Sequence, residues 1–360
     1  MKHALKPLFT AAIALTLTAS AALAQDVTLR FQHFISAKGT MPVSFMEPWI
    51  EKIEHESGGR IKIDLYPAMQ LGGKPAALYD QVRDGVIDGA WIIPAYTPGR
   101  FPESEALELP FITLMSAEAS SKAAWDFTQK NLKERFADVH VLAAHVHGPG
   151  VVHKKGGPIL KIEDFKGLKM RTPSRMGGKL LAAIGATPVG MPVPAFPEAL
   201  ASGVLDGGLL PWEIAPGFKV HELTDSHNET SGDRAIYNLY FIWAMNKDKY
   251  NALPDDLKAV IDANSGLETS AWMGRSLENG DVIGRKITAD RGNIMHVMDK
   301  DTVNALKNAG DILTQDWIGE VTAKGLDGAG LVKDAQDLMA RYAQETAPVS
   351  ENSTPSEKKD

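Results

Sequence analysis

The sequence predicts an α/β protein built of two similar lobes, and three observations carry that reading. Strand-like and helix-like segments alternate through the first half of the chain. One phrase occurs twice, each time after a helical segment: Gly85-Val86-Ile87-Asp88-Gly89 and Gly203-Val204-Leu205-Asp206-Gly207. An apolar helical period begins at Leu253-Pro254 and holds to about residue 290. At ~1.5 Å per residue it is long enough to bridge both lobes.

The elements follow in order. Lys2 and Lys6 precede an apolar stretch over 8–17, and Ala22-Leu23-Ala24 supplies small residues at a cleavage position, so residues 1–24 read as a secretory signal peptide. The apolar run is shorter than the roughly 20 residues a bilayer crossing needs, which disfavours an anchor. Val27-Thr28-Leu29-Arg30-Phe31 alternates as a strand does, and Phe45, Trp49, Ile50 and Ile53 recur at helical spacing over 45–57 before Gly58-Gly59 stops that helix. A strand over 60–66, a helix over 75–83 and a buried strand over 86–93 continue the rhythm, which predicts a mainly parallel sheet.

A second unit opens near residue 149. It reads as a strand at Leu168-Lys169-Met170-Arg171, a helix over 175–184, a strand over 186–191, a short helix over 197–201 and a strand ending at Leu209-Leu210. A strand over 237–245, the long helical stretch with Gly266, Gly274, Gly280 and Gly284 inside it, and helical pattern over 300–343 complete the chain. Lobe I is expected to comprise 25–148 with about 235–275, and lobe II 149–234 with about 276–345. Residues 346–360 are polar, without apolar period, and are expected to form a flexible tail.

Composition narrows the function. The 360 residues are 44% hydrophobic and contain no cysteine, which excludes disulfide scaffolds, thiolate metal sites and cysteine nucleophiles. The net charge of −7 becomes −9 without the leader, which carries two lysines and no acid. A nucleic-acid partner is not expected of so acidic a chain. With no second apolar run, no stable membrane insertion is expected, and export without cysteine suits the bacterial periplasm.

Arg171 is the most informative polar residue: it ends an apolar strand just before Thr172-Pro173. Ligand sites of α/β sheets lie at such strand ends, where a guanidinium can grip a carboxylate with two hydrogen bonds. A structural ion pair is the competing reading. His145, His147 and His153 cluster, and the first two would share a strand face, but no carboxylate lies nearby to complete a metal site. His33 could belong to a cleft or to lobe packing. Phe34, Trp91, Tyr96, Trp212, Tyr237 and Trp243 fall at or past strand ends, with Pro94 between two of them, and could be core or could line one cleft. No serine-hydrolase elbow, zinc helix or phosphate loop occurs; Gly72-Gly73-Lys74 is followed by Pro75 rather than a hydroxyl residue. No cofactor is expected.

A resemblance then sharpens the picture. Val27 to His33, Ser57-Gly58-Gly59-Arg60-Ile61, Tyr66-Pro67, Gln70-Leu71-Gly72-Gly73, Leu109-Pro110-Phe111, Asp164-Phe165-Lys166-Gly167-Leu168-Lys169-Met170-Arg171-Thr172-Pro173 and Gly185-Ala186-Thr187-Pro188, with the two Asp-Gly phrases, resemble in their order the solute-binding proteins of TRAP (tripartite ATP-independent periplasmic) transporters. The resemblance implies a two-lobed periplasmic binding protein of Venus-flytrap type, with hinge strands, a long helix spanning both lobes and a ligand between them. It implies Arg171 as the carboxylate clamp, membrane permease subunits as partners, and no enzymatic activity. Sialic-acid-binding members carry polar contacts at positions matching Ile93, about Val151 and Leu210 here. Their apolar character implies an organic, apolar or aromatic monocarboxylate rather than a sugar acid, with Trp91 and Trp212 sandwiching its body; a cation held by the aromatics is the variant reading. Trp212-Glu213 is similar to a pair that ligates a cation in some relatives, which leaves Glu213 as a minor metal candidate. A receptor feeding a sensor kinase, or a periplasmic hydrolase or lyase, are the alternative functions.

Overall fold

The computed structural model describes residues 27–346; residues 1–26, with the expected signal peptide, and 347–360, which make up nearly all of the expected tail, lie outside the described residues. In the first lobe β1 (Val27–Gln32), α1 (Glu47–Glu56), β2 (Ile61–Tyr66), α2 (Leu78–Arg83) and β3 (Gly89–Ile92) keep the expected rhythm, and α3 (Ala117–Phe127) leads into β4 (Val139–Val146). The second lobe runs through β5 (Val151–Lys154), β6 (Lys169–Thr172), α4 (Arg175–Ala183), β7 (Thr187–Gly190), α5 (Phe196–Ala201), β8 (Gly207–Leu210), α6 (Val220–Leu223) and β9 (Ser226–Glu229). The chain then returns as β10 (Tyr240–Asn246), passes through α7 (Lys247–Asn251), α8 (Asp255–Ala263) and α9 (Leu267–Asp290), adds β11 (Ile294–Val297), and ends in α10 (Lys300–Thr322) and α11 (Gly328–Thr346).

The strands form two sheets, ordered β2-β1-β3-β10-β4 and β11-β9-β5-β8-β6-β7. The first is mixed rather than mainly parallel: β1 pairs in parallel with β2 and β3, but β10 arrives from the other lobe and runs antiparallel to both β3 and β4. In the second sheet β5 plays the same part, antiparallel to β8 and β9. In sequence β10 lies between two strands of the second sheet, and β5 follows directly on β4 of the first.

The repeated phrase marks equivalent places in the two sheets. Asp88 precedes β3, accepts a hydrogen bond from Arg30 N at 2.8 Å and donates its own N–H to Arg30 O at 2.9 Å. Asp206 precedes β8 and does the same with Lys169, at 2.8 and 2.9 Å. This aspartate closes the sheet where β3 meets β1 in the first lobe and where β8 meets β6 in the second, positions where an unpaired strand N–H would otherwise be costly.

The long helical stretch is two helices. Gly266, at φ +94°, breaks it between α8 and α9. The 24 residues of α9 span about 36 Å and pack on α3 and β4 of the first lobe and on the Trp212–Ile214 turn of the second. Gly284 permits that last contact, since a Cβ there would lie 2.1 Å from Trp212 O. Helix α11 crosses back to the first lobe, where Tyr342 donates to Asp126 at 2.7 Å and Lys130 pairs with Asp334 at 2.7 Å; the sequence reading had put these residues in lobe II. Phe31, Phe45, Trp49 and Trp243 form one aromatic core beside the first sheet, with Phe31 and Trp243 centroids 4.9 Å apart. Trp243 is therefore core and not cleft. Among the described residues no helix is long and apolar enough to cross a membrane.

Candidate ligand site between the lobes

The carboxyl ends of β3 and β8 face each other across the lobes, and between them lies a small, tightly closed cavity. Its apolar wall starts from β3. Trp91 stacks on Phe34 (4.9 Å between centroids, 5° between planes) and on Phe241 of β10 (4.9 Å, 11°). Tyr96 meets Phe34 edge-on, and Ile93, Leu210 and Leu239 fill the gaps. The wall is fixed from behind: Trp91 Nε1 donates to His145 Nε2 at 2.8 Å, so the His145 proton sits on Nδ1, which points to Val146 O at 3.2 Å. Burial holds His145 neutral, its pKa pushed down to about 3.

The opposite end is polar and centred on Arg171. The strand pairing of β6 with β7 and β8 places this residue in the middle of the second sheet, 1% exposed. Its Nε donates to Met191 O at 3.1 Å and its Nη1 to Leu209 O at 2.8 Å, while Phe196 lies under the guanidinium at 5.7 Å. These contacts orient the fork and leave further N–H donors toward the cavity. Among the described residues no carboxylate pairs with it; the groups that favour its charge are the phenols of Tyr96 and Tyr237, against a burial that lowers its pKa. The ion-pair reading of Arg171 thus finds no partner.

Three further polar side chains reach the same end. Tyr96 Oη accepts from Val193 N at 3.1 Å across the lobes. Tyr237 and His147 are each 1% exposed, and among the described residues Tyr237 Oη and His147 Nε2 have no hydrogen-bond partner. His147 belongs to the first hinge crossing, and its backbone is locked to the second: His147 N donates to Asn238 Oδ1 at 3.1 Å and Asn238 Nδ2 to His147 O at 2.7 Å. Gly150 makes room for Tyr237, whose ring would lie 1.9 Å from a Cβ at that position. Glu213 also lines the cavity. Its N–H donates to Asp281 Oδ1 at 2.8 Å. Burial, with each acid's proximity to other acids, pushes the Glu213 carboxyl well up and that of Asp281 to about 8.

Phe34, Trp91, Tyr96, Arg171 and Tyr237 thus converge on one cavity, and Trp212, His33 and Pro94 do not. Trp212 faces away: its Nε1 donates to Glu229 at 2.8 Å and its ring meets His153 at 5.2 Å and His227 at 5.3 Å. No Trp91–Trp212 sandwich exists, because Pro211 follows β8 and the turn after it directs the indole away from the cavity. His33 lies buried outside the cavity, held neutral with its pKa lowered to about 4. Pro94 lines a small neighbouring pocket and starts the turn that carries Tyr96. Val151 pairs with Leu210 and faces the hinge side instead.

The histidine cluster is divided among three tasks. His145 backs the wall and His147 enters the cavity. His153 joins a chain in which Nε2 bonds Leu210 O, Nδ1 bonds His227 Nδ1 and His227 Nε2 bonds Asn293. Among the described residues no group of three or more histidines and acids is placed to hold a metal, and Glu213 has only Asp281 beside it. His147, Leu239 and Phe241 were not foreseen as ligand-facing; the signal for the first was Gly148-Pro149-Gly150, which ends β4 at the hinge.

Several contacts among the described residues hold the lobes together around the cavity. Besides Tyr96–Val193, Thr40 Oγ1 donates to Glu213 O at 3.3 Å. On the flank Arg175 of α4 forms a forked pair with Glu105 of the 102–108 turn, Nε to Oε1 at 2.8 Å and Nη2 to Oε2 at 2.5 Å.

Comparison with known proteins agrees with this architecture. Residues 31–319 match the family model described as bacterial extracellular solute-binding protein, family 7. The chain is similar to a TRAP solute-binding protein from Rhodoferax ferrireducens crystallised with copurified benzoate: 45% identity, TM-score 0.87, covering 89% of this chain and 100% of that one. It is equally similar to a marine metagenome TRAP solute-binding protein specific for aromatic acid ligands, in complex with 3-hydroxybenzoate: 46% identity, TM-score 0.87, coverage 89% and 99%. A Bordetella bronchiseptica TRAP protein with bound (R)- and (S)-mandelate follows at 28% identity and TM-score 0.81, with coverage of 88% and 99%. The two sheets with their exchanged strands, the helix that spans both lobes, the enclosed arginine and these matches together place the chain in the TRAP transporter family of solute-binding proteins.

Proposed function

We propose that this protein is a periplasmic receptor that captures an aromatic monocarboxylate between its lobes and delivers it to the membrane permease subunits of a TRAP transporter, performing no chemistry on it. The leader at 1–24 would route it there. The observation that carries the reading is Arg171, a buried guanidinium without a carboxylate partner among the described residues, at the polar end of a cavity whose remaining wall is aromatic.

Charge decides between ligand classes. Burial pushes the Glu213 and Asp281 carboxyls toward their neutral forms, so Arg171 is the charge at the polar end and calls for one negative charge. A second carboxylate would be buried beside neutral acids, and a polyol would leave hydroxyls against Phe34, Trp91 and Phe241. The neighbours whose structures hold benzoate, 3-hydroxybenzoate and mandelate support the same class. Titration calorimetry with benzoate tests it: Arg171→Ala should weaken binding by about 2–5 kcal/mol, the usual cost of stripping a buried charge of its partner. Equal affinity in the variant would remove Arg171 from the site.

A further inference from the structure

The hinge histidine His147 sets a requirement that a bare carboxylate cannot meet. Its Nδ1 lies against Gly148 O, 2.5 Å away, and a carbonyl only accepts, so the ring proton is on Nδ1. In the neutral ring Nε2 is then an acceptor and nothing else. Burial and the nearby Arg171 charge both favour that neutral ring, with the pKa lowered to about 4. His147 lines the cavity, and its Nε2 is buried and finds no partner among the described residues. A carboxylate is also acceptor-only and cannot satisfy it. Tyr237 stands beside it, with ring centroids 5.3 Å apart and planes at 70°, and its buried hydroxyl is likewise without a partner among the described residues.

We propose that His147 and Tyr237 form a hydroxyl-reading subsite, so that the preferred ligand is an aromatic monocarboxylate carrying a hydroxyl on its carboxylate half. His147 Nε2 accepts the ligand O–H and Tyr237 Oη donates to the same oxygen, matching the donor and acceptor faces of one hydroxyl. An ammonium in that place would meet the Arg171 guanidinium as a like charge, which excludes amino acids as the matching class. His147 also contacts Phe241, at 6.2 Å between centroids, and its charge state senses Arg171. The subsite therefore lies where the aromatic wall meets the clamp, and a hydroxyl opposite the carboxylate would miss it. The proposal rests on the aromatic-monocarboxylate reading above and adds to it the residues that choose among such acids.

The test is calorimetry of the full mature chain with benzoate, 2-, 3- and 4-hydroxybenzoate, phenylacetate and mandelate, in two buffers of different ionisation enthalpy. At least one of 2-hydroxybenzoate, 3-hydroxybenzoate and mandelate should bind about tenfold tighter than its unhydroxylated parent, as one buried hydrogen bond allows, while 4-hydroxybenzoate gains nothing and no proton is taken up. His147→Phe should erase the gain of each hydroxylated acid over its parent; His147→Gln, which keeps an acceptor, should restore part of it, and Tyr237→Phe should reduce it. Parent and hydroxylated acids binding alike in the native chain would overturn the proposal. So would uptake of a proton with benzoate, which would make His147 an imidazolium on the carboxylate. Failure of every acid to bind would instead overturn the aromatic-monocarboxylate reading itself.

Discussion

Glu105 offers a way to change ligand affinity without touching the ligand. Its carboxylate sits in the first lobe, buried, and accepts from two side chains of the second: the Arg175 fork and Trp317 Nε1 at 2.9 Å. Opening the lobes must break these bonds. Charge-assisted hydrogen bonds are worth about 1.5–3 kcal/mol net when buried; the Arg175 side chain is 26% exposed and retains Glu320 as a partner, which lowers the figure to about 1–2 kcal/mol for Glu105→Gln. A ligand that binds only closed lobes pays the closing free energy, so its apparent dissociation constant rises as the closed fraction falls. At 1.4 kcal/mol per factor of ten, benzoate should bind roughly 5- to 30-fold more weakly to Glu105→Gln. Calorimetry gives the affinity, and small-angle scattering with and without benzoate gives the compactness of each state. Benzoate affinity within twofold of native would refute the reasoning, because the flank contact would then carry no part of the closing equilibrium.

Other expectations follow from buried titrating groups and from ring placement. Burial holds Glu108 and Asp281 protonated up to about pH 8, against ordinary values of 4.5 and 3.8. The folded chain therefore binds more protons than the unfolded one across that range, and stability falls as pH rises toward 8, by about 1.4 kcal/mol per pH unit for each such group. His33, His147 and His227, lowered to about 4, and His145, lowered to about 3, act oppositely: their contribution is complete above 6.5 and is lost as pH falls through those values. The melting temperature of the ligand-free protein should thus peak near pH 6.5, with a declining alkaline limb that Asp281→Asn flattens; a midpoint rising from pH 6.5 to 8 would contradict this. Trp212→Phe should lower stability by about 1–2 kcal/mol through its lost bond to Glu229 and leave benzoate affinity unchanged, whereas Trp91→Leu should weaken benzoate binding severalfold; a large affinity loss in Trp212→Phe would return that indole to the site.

The parts of this protein that are local in sequence were legible in it. Alternation and stop signals placed β1, α1, β2 and α2, and the repeated Gly-Val-x-Asp-Gly phrase marked equivalent strand starts because an aspartate there must serve a strand N–H in each lobe. Arg171 was legible because a charged residue ending an apolar strand is expensive without a partner. What was not legible depends on crossings between lobes. Nothing in the pattern over 237–245 says that β10 inserts antiparallel between β3 and β4, and that insertion is what brings Phe241 against Trp91 and Tyr237 beside His147. Trp212 was misplaced for a related reason: periodicity locates it at a strand end, and only the turn after Pro211 decides on which side of the sheet the ring falls.

The same crossings explain why closure should depend on ligand. With the lobes closed, Arg171 is buried without a countercharge, and His147 Nε2 and Tyr237 Oη without partners, among the described residues. Each costs free energy, the charge most of all. The contacts that favour closing on their own account are few and lie mainly on the flank, in the Glu105 pair and the Tyr96–Val193 bond. A ligand that brings a carboxylate to Arg171 and a hydroxyl to His147 and Tyr237 removes those costs together, while its ring replaces water against Phe34, Trp91 and Phe241. The polar groups thus act through the closed state rather than as independent points of attraction, and the permease can take the closed form as a report that the correct acid is inside. An acid lacking the hydroxyl leaves part of the cost in place, so discrimination and closure are one equilibrium.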